Sequence, residues 1–117
     1  MTATRQDFEM MAGDDKRLEV TVLDEDDAVV NLTGASAIRW KLARSVRSAA
    51  LVSYDLTDNV SIIDATAGRF NVTLDAADTE SLKGLHYHEA DIVDSTGKTG
   101  TVLYGTVTIR PSLVDPA

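Results

Sequence analysis

Cysteine is absent from this chain of 117 residues. Disulfides, the usual reinforcement of small secreted domains, are therefore excluded, and stability has to come from packing and strand pairing. Aromatic residues make up only 5% of the chain, which leaves few side chains for stacking against a flat ligand. No apolar run approaches the ~20 residues of a membrane span, and the N-terminal residues contain no apolar core of a signal peptide. We therefore expect synthesis in a cytoplasm and no membrane partner.

What the chain does contain is typical of one small globular domain. Hydrophobic residues make up 44% and charged residues 26%, and this length can bury a single core. The 19 acidic residues outnumber the 11 basic ones, for a net charge of −8. A nucleic-acid partner is not expected, because phosphate binding needs a dense cationic surface.

Alternation of apolar and polar side chains recurs along the chain and predicts half-buried strands. Turn signals separate them every 8–12 residues, which is typical of a sandwich or barrel. The fold class predicted is all-β: a single antiparallel immunoglobulin-like β-sandwich of about 7–9 strands with one short helical turn. The predicted strands cover residues 8–11, 16–23, 35–43, 51–56, 60–63, 69–74, 85–93 and 101–109.

The helical turn is predicted over residues 76–82, with Asp75 as its N-cap and Gly84 as its end. The domain is expected to span residues 8–110, between a flexible N-terminal arm (1–7) and a C-terminal tail (111–117). Gly105, inside the last strand, predicts a bulge or a close backbone approach. The predicted core consists of Leu18, Val20, Val22, Ile38, Trp40, Leu42, Phe70, Val72, Leu74, Ile92, Val107 and Ile109.

Two charged clusters stand out. Four basic residues lie within nine positions: Arg39, Lys41, Arg44 and Arg47. The favoured interpretation is a solvated strand face running into a loop, and the alternative is a docking surface for an acidic neighbour, such as another copy of the chain. The acidic run consists of Asp24, Glu25, Asp26 and Asp27. Four consecutive acids do not match the alternating ligand spacing of a calcium loop, so an exposed turn is favoured there.

The two histidines, His86 and His88, share one face of a predicted strand. A metal would need further ligands, and the spacing suggests no third one, so structural histidines are favoured. No nucleophile elbow occurs, and the segment 95–99 lacks the first glycine of a phosphate-binding loop. We therefore expect no enzyme activity, no cofactor and no bound metal.

The order of the turn and strand signals resembles a small immunoglobulin-like β-sandwich of tailed-phage virion proteins, similar to the N-terminal domain of siphophage baseplate upper proteins. The resemblance spans about residues 8–110. The phrases that carry it are Gly13-Asp14, Asn31-Leu32-Thr33-Gly34, Gly68-Arg69-Phe70, Asp78-Thr79 with Leu82, Gly84 and Tyr87, Asp94 with Gly97, and Gly105 with Val107 and Ile109.

The resemblance implies a non-enzymatic virion module of the tail, baseplate or adaptor region. It implies localisation in the virion, with other phage virion proteins and copies of the chain itself as partners, in a homo-oligomer. Such sandwiches carry longer receptor-binding or fibre regions, whereas this chain ends at Ala117, so a stand-alone adaptor, a tail or baseplate component, or a capsid decoration (cement) protein is favoured. A carbohydrate-binding or adhesin-like sandwich is the other alternative. It would need exposed aromatics, for which Tyr54, Tyr87 and Tyr104 are the candidates.

Overall fold

Nine strands and one helical turn make up the part of the chain that the structure describes. The computed structural model describes residues 2–111 and residue 113. The strands are β1 (Thr4–Arg5), β2 (Phe8–Met11), β3 (Lys16–Thr21), β4 (Ala37–Ala43), β5 (Val52–Tyr54), β6 (Val60–Asp64), β7 (Arg69–Leu74), β8 (Gly84–Val93) and β9 (Thr99–Arg110), and the helix is α1 (Ala76–Thr79).

The strands form two sheets that pack face to face. The large sheet has the order β1-β9-β8-β4-β5, with β2 also beside β9, and the small sheet has the order β3-β7-β6. In immunoglobulin terms these are the strand orders G-F-C-C′ and B-E-D. The predicted all-β sandwich is confirmed, with one difference: β1 and β2 run parallel to β9, whereas the other named pairs are antiparallel.

The core lies between the sheets and contains every residue that the alternation predicts. All twelve predicted core residues are buried, and Trp40 at the centre of β4 is inaccessible to solvent. The ring of Tyr54 stacks on Trp40 with centroids 5.5 Å apart. Val102 and Leu103 are consecutive and both buried, because the register between β8 and β9 shifts at this point. A bulge of this kind breaks the period of two, so alternation alone does not predict the pair.

Two turns of the chain are built in the same way. Asp24 and Asp94 each accept, through one carboxylate oxygen, the backbone N–H groups of the residues two and four positions later, at 2.8–3.0 Å. The fourth residue of each turn is left-handed, Asp27 with φ of 61° and Gly97 with φ of 86°. The same local hydrogen bonding therefore reverses the chain at both places.

The helical turn differs from its prediction. It ends at Thr79, and the predicted cap, Asp75, makes no side-chain capping bond. The N–H of Ala76 instead donates to the carboxylate of Asp15 at 2.8 Å, a contact between residues 61 positions apart that local sequence cannot reveal. Gly84 does not end the helix, because it is the first residue of β8 and has φ of 92°.

The N-terminal residues also differ from the predicted arm. Within the predicted segment 1–7, Thr4 and Arg5 pair with Leu103 and Tyr104 of β9. The sheet therefore begins four residues earlier than the predicted domain boundary. Most of the predicted tail, residue 112 and residues 114–117, lies outside the described residues.

Candidate functional site: charged surfaces and a buried histidine

The predicted basic cluster divides into two pairs with different surroundings. Arg39 lies on the outer face of β4 and donates two hydrogen bonds to Asp91, at 2.8 and 3.0 Å, and this pairing raises the pKa of Arg39. Lys41 lies opposite Glu89 in the same register. Both cations therefore face carboxylates of their own sheet, so their charges are less available to bind an outside partner.

The other pair lies in the exposed loop 44–48. Arg44 and Arg47 flank Val46, which is 70% exposed, and the hydroxyls of Ser45 and Ser48 lie 2.9 Å apart across the loop. Within residues 2–111 and 113, neither arginine has an ion-pair partner. An exposed apolar side chain between two such cations can contact a partner that is both acidic and apolar.

The acidic run lies at the opposite end of the sandwich. β4 ends at Ala43, opposite Tyr87 near the start of β8, so loop 44–48 lies at the end of the sandwich where α1 leads into β8. β3 starts at this end, opposite Leu74, and runs to the other end, where Val22 bonds to Gly68 and the acidic turn follows. Asp24 uses its carboxylate to close the turn, whereas Asp26 and Asp27 are exposed. The structure therefore does not bring the acidic and basic candidates together within one molecule.

His88 is the one predicted structural histidine whose two ring nitrogens are both engaged. It is fully buried, its Nδ1 accepts the N–H of Trp40 at 3.1 Å, and its Nε2 lies 2.6 Å from the carbonyl of Gln6. Because indole only donates and a carbonyl only accepts, the ring must be neutral with its proton on Nε2. Burial lowers the pKa of His88, against the opposing effects of the Gln6 bond and the Asp7 charge.

The contact with Gln6 depends on Gly105. A Cβ at Gly105 would lie 2.2 Å from the Gln6 carbonyl oxygen and 2.7 Å from a carboxylate oxygen of Asp7. The close backbone approach predicted for Gly105 is therefore confirmed, and its partner is the segment between β1 and β2. Sequence reasoning missed that His88 binds this segment, although a glycine inside a strand was a signal that some backbone passes close by.

His86 is buried two residues before His88 on the same strand face. Its Nδ1 lies 3.0 Å from the carbonyl of Gly84, and its Nε2 is buried without a hydrogen-bond partner among the described residues. In antibody-type domains a tyrosine two positions before the strand F cysteine bonds back to upstream backbone. His86 also contacts upstream backbone, through Nδ1 and the carbonyl of Gly84, whereas the fold provides no partner for its Nε2 among the described residues.

The remaining site predictions concern metals and aromatics. Across the described chain, no three His, Cys, Asp or Glu side chains are grouped so as to hold a metal ion, and the absence of a metal stays a prediction. No helix of residues 2–111 is long and apolar enough to cross a membrane. Tyr54 is buried with its hydroxyl 2.5 Å from Asp78. Tyr87 and Tyr104 are half-buried, with the Arg5 guanidinium 5.9 Å from the Tyr104 ring centre.

Comparisons with known proteins identify no family. No family model matches the chain, and no curated protein matches it. Among solved structures, the chain has a likeness to AggA, the major subunit of aggregative adherence fimbriae type I from Escherichia coli. That likeness has 10% sequence identity and a TM-score of 0.32, and it covers 88% of this chain and 89% of the other. At this TM-score it carries no argument about function.

Proposed function

We propose that the protein is a non-enzymatic assembly module of a bacteriophage virion, present in several copies in the tail, baseplate or adaptor region. The resemblance of its turn and strand phrases to phage virion sandwiches supports this function. The observation in the structure that supports it is the placement of the exposed charges. Arg44 and Arg47 lie at one end of the sandwich, and Asp26 and Asp27 lie at the other.

Loop 44–48 and the acidic turn carry exposed charges of opposite sign at separate places on the surface, which favours a contact between molecules. An acidic turn of one copy, or of another virion protein, fits against loop 44–48, where Val46 adds apolar area. A contact between two different surfaces of the same chain is heterologous, so it builds rings or open stacks. Exposed ion pairs are screened over roughly 8 Å at physiological ionic strength, so we expect such contacts to weaken with salt.

Localisation in the particle tests the proposal. Particles from the parent phage genome are labelled with gold-conjugated antibody against the chain and imaged by electron microscopy. We expect gold at the tail or baseplate. Gold spread over the head shell would instead identify a capsid decoration protein, and unlabelled particles with the protein free in the lysate would contradict a virion role.

The docking loop is tested in the same phage background. The double substitution Arg44→Glu and Arg47→Glu reverses both exposed charges of the loop, and we expect it to reduce incorporation into particles. Lys98→Glu is the control for added negative charge, because Lys98 is an exposed cation in the turn between β8 and β9 at the other end of the sandwich. Equal incorporation of the double variant and the control would show that loop 44–48 is not the docking surface.

A further inference from the structure

Strand β3 forms a regular edge of the small sheet that is open along its own length, and beyond it the N–H of Thr2 donates to the carbonyl of Leu23 at 3.0 Å. Among the described strands it pairs only with β7, and its six residues stay in one continuous register. The opposite edge, β6, is interrupted by a register shift between Ile62 and Asp64, and β5, which ends the large sheet, has three residues. Irregular or short edges discourage further strand pairing, whereas a regular six-residue edge can accept another strand.

The backbone groups on the free side of β3 belong to its odd-numbered residues. The N–H of Val22 donates to the carbonyl of Gly68 at 2.8 Å, directly beyond the pair of Thr21 and Arg69. Opposed residues of an antiparallel ladder alternate between bonded and non-bonded pairs. The even-numbered residues of β3 therefore bond to β7, and the backbone groups of Arg17, Glu19 and Thr21 face outward along the edge.

The side chains on this edge are charged and self-complementary. Arg17 and Glu19 are exposed on the same face of β3, and neither has an ion-pair partner among the described residues. The large sheet differs, because its exposed arginines are paired, for example Arg39 with Asp91. An open groove lined by Gln6, Phe8 and residues 16–19 of β3 runs beside the edge.

We propose that two copies of the chain pair their β3 edges in antiparallel orientation around a two-fold axis at Leu18. In this register Arg17 of each copy lies opposite Glu19 of the other, and both are residues whose backbone groups face the edge. The two small sheets then become one continuous sheet of six strands. A two-fold contact uses the same surface on both copies, which is what a self-complementary edge provides. The inference concerns the isolated protein and does not depend on a virion role.

Electrostatics select this register over its neighbours. Moving the axis by one residue towards the N-terminus places Arg17 opposite Arg17 of the second copy, and moving it the other way places Glu19 opposite Glu19. Like charges directly opposite each other destabilise a sheet, and opposite charges stabilise it. The alternation of sign at positions 17 and 19 therefore favours the register centred on Leu18.

Charge reversal and restoration test the pairing by sedimentation equilibrium at concentrations up to about 1 mM. We expect the unaltered protein to dimerise. Arg17→Glu and Glu19→Arg each place like charges opposite each other, and we expect either to weaken the dimer by about tenfold or more. Combining both changes in one chain exchanges the signs and restores the dimer, and an equimolar mixture of the two single variants forms a mixed dimer.

Two controls make each outcome decisive. Arg47→Glu changes the net charge by the same amount as Arg17→Glu, at a loop remote from β3, and is expected to leave the dimer unchanged. It should weaken any end-to-end stacking. Thermal melting of each variant checks that the sandwich is folded, which is expected because both side chains are exposed. A protein that stays monomeric up to about 1 mM, single variants that dimerise like the unaltered chain, or a double variant that stays monomeric would each overturn the proposal.

Discussion

Nε1 of Trp40 lies 3.1 Å from Nδ1 of His88 in the centre of the core. In antibody-type immunoglobulin domains the tryptophan of strand C packs against a disulfide that ends on strand F. Here Trp40 lies on β4 and His88 on β8, the strands that correspond to C and F in strand order. The structure therefore shows how a chain without cysteine fills this part of the core: His88 connects Trp40 to the backbone of Gln6.

Replacing Trp40 by alanine should strongly destabilise the domain. The side chain is fully buried and stacks on Tyr54, so the loss of its volume should lower the free energy of unfolding by about 3–5 kcal/mol. Urea denaturation measures the change. Trp40→Phe is the comparison: it keeps an aromatic ring but loses the indole N–H that bonds to His88 and part of the side-chain volume, so it should cost less than Trp40→Ala. An unchanged midpoint for Trp40→Ala would show that the residue does not lie in the core.

Stability should fall as the pH drops below the ordinary pKa of histidine. Because burial lowers the pKa of His88 in the folded state, the unfolded chain takes up a proton near pH 6.5 while the folded chain does not. The unfolded state then binds more protons, so the free energy of unfolding is constant above about pH 7 and decreases below about pH 6.5. Urea midpoints between about pH 7.5 and pH 5 measure this window.

His88→Gln is the control for the pH dependence. Glutamine does not titrate, so the variant should lose part of the decrease between about pH 7 and pH 5, even though it is less stable throughout. The carboxyl groups of Asp7 and Asp94, whose pKa values hydrogen bonds lower, titrate at lower pH and do not affect this window. An identical slope in the variant and in the unaltered protein would show that His88 is not the responsible group.

Gly105→Ala should detach the N-terminal segment from β9. The added methyl would lie 2.2 Å from a backbone oxygen of Gln6, so either the segment or the strand has to move. We expect faster hydrogen exchange at the amides of Gln6 and Thr106, which bond across this contact. Gly97→Ala is the comparison, because its methyl meets nothing within 4 Å and only its φ of 86° is unfavourable. Equal exchange at Gln6 in both variants would contradict the account.

Titration with Ca²⁺ or Zn²⁺ should show no saturable binding. The carboxylate of Asp24 is committed to its turn, both ring nitrogens of His88 are engaged, and no three ligand side chains are grouped among the described residues, so neither cluster offers a workable ligand geometry. Isothermal titration calorimetry of the full chain is the measurement. A one-to-one isotherm with micromolar affinity would show that one of the two clusters opens to bind the ion.

Alternation of apolar and polar residues predicts the strands in which every second side chain is buried. The strand bounds of β2 and β7 agree with the prediction, and so does every predicted core position. The parallel pairing of β1 was not predictable, because two exposed residues carry no alternation. Its stability comes from β9, which lies about one hundred positions away along the chain.

The candidate site shows the same limit. The sequence places Arg39, Lys41, Arg44 and Arg47 close together, but it does not show that Asp91 and Glu89 lie opposite the first two. Register between strands decides which charges are paired. The open edge at Arg17 and Glu19 also follows from strand order, which the pattern of a single strand does not contain.

Quantitative mass spectrometry of purified particles tests the central claim, an assembly role in the virion, most directly. Particles from the parent genome are purified by density gradient, and peptides of this chain are quantified against those of the major capsid protein. The account predicts that the chain is present in a fixed, multiple copy number per particle that survives repeated purification. Its absence from the particles, with the chain recovered free in the lysate, would contradict the account.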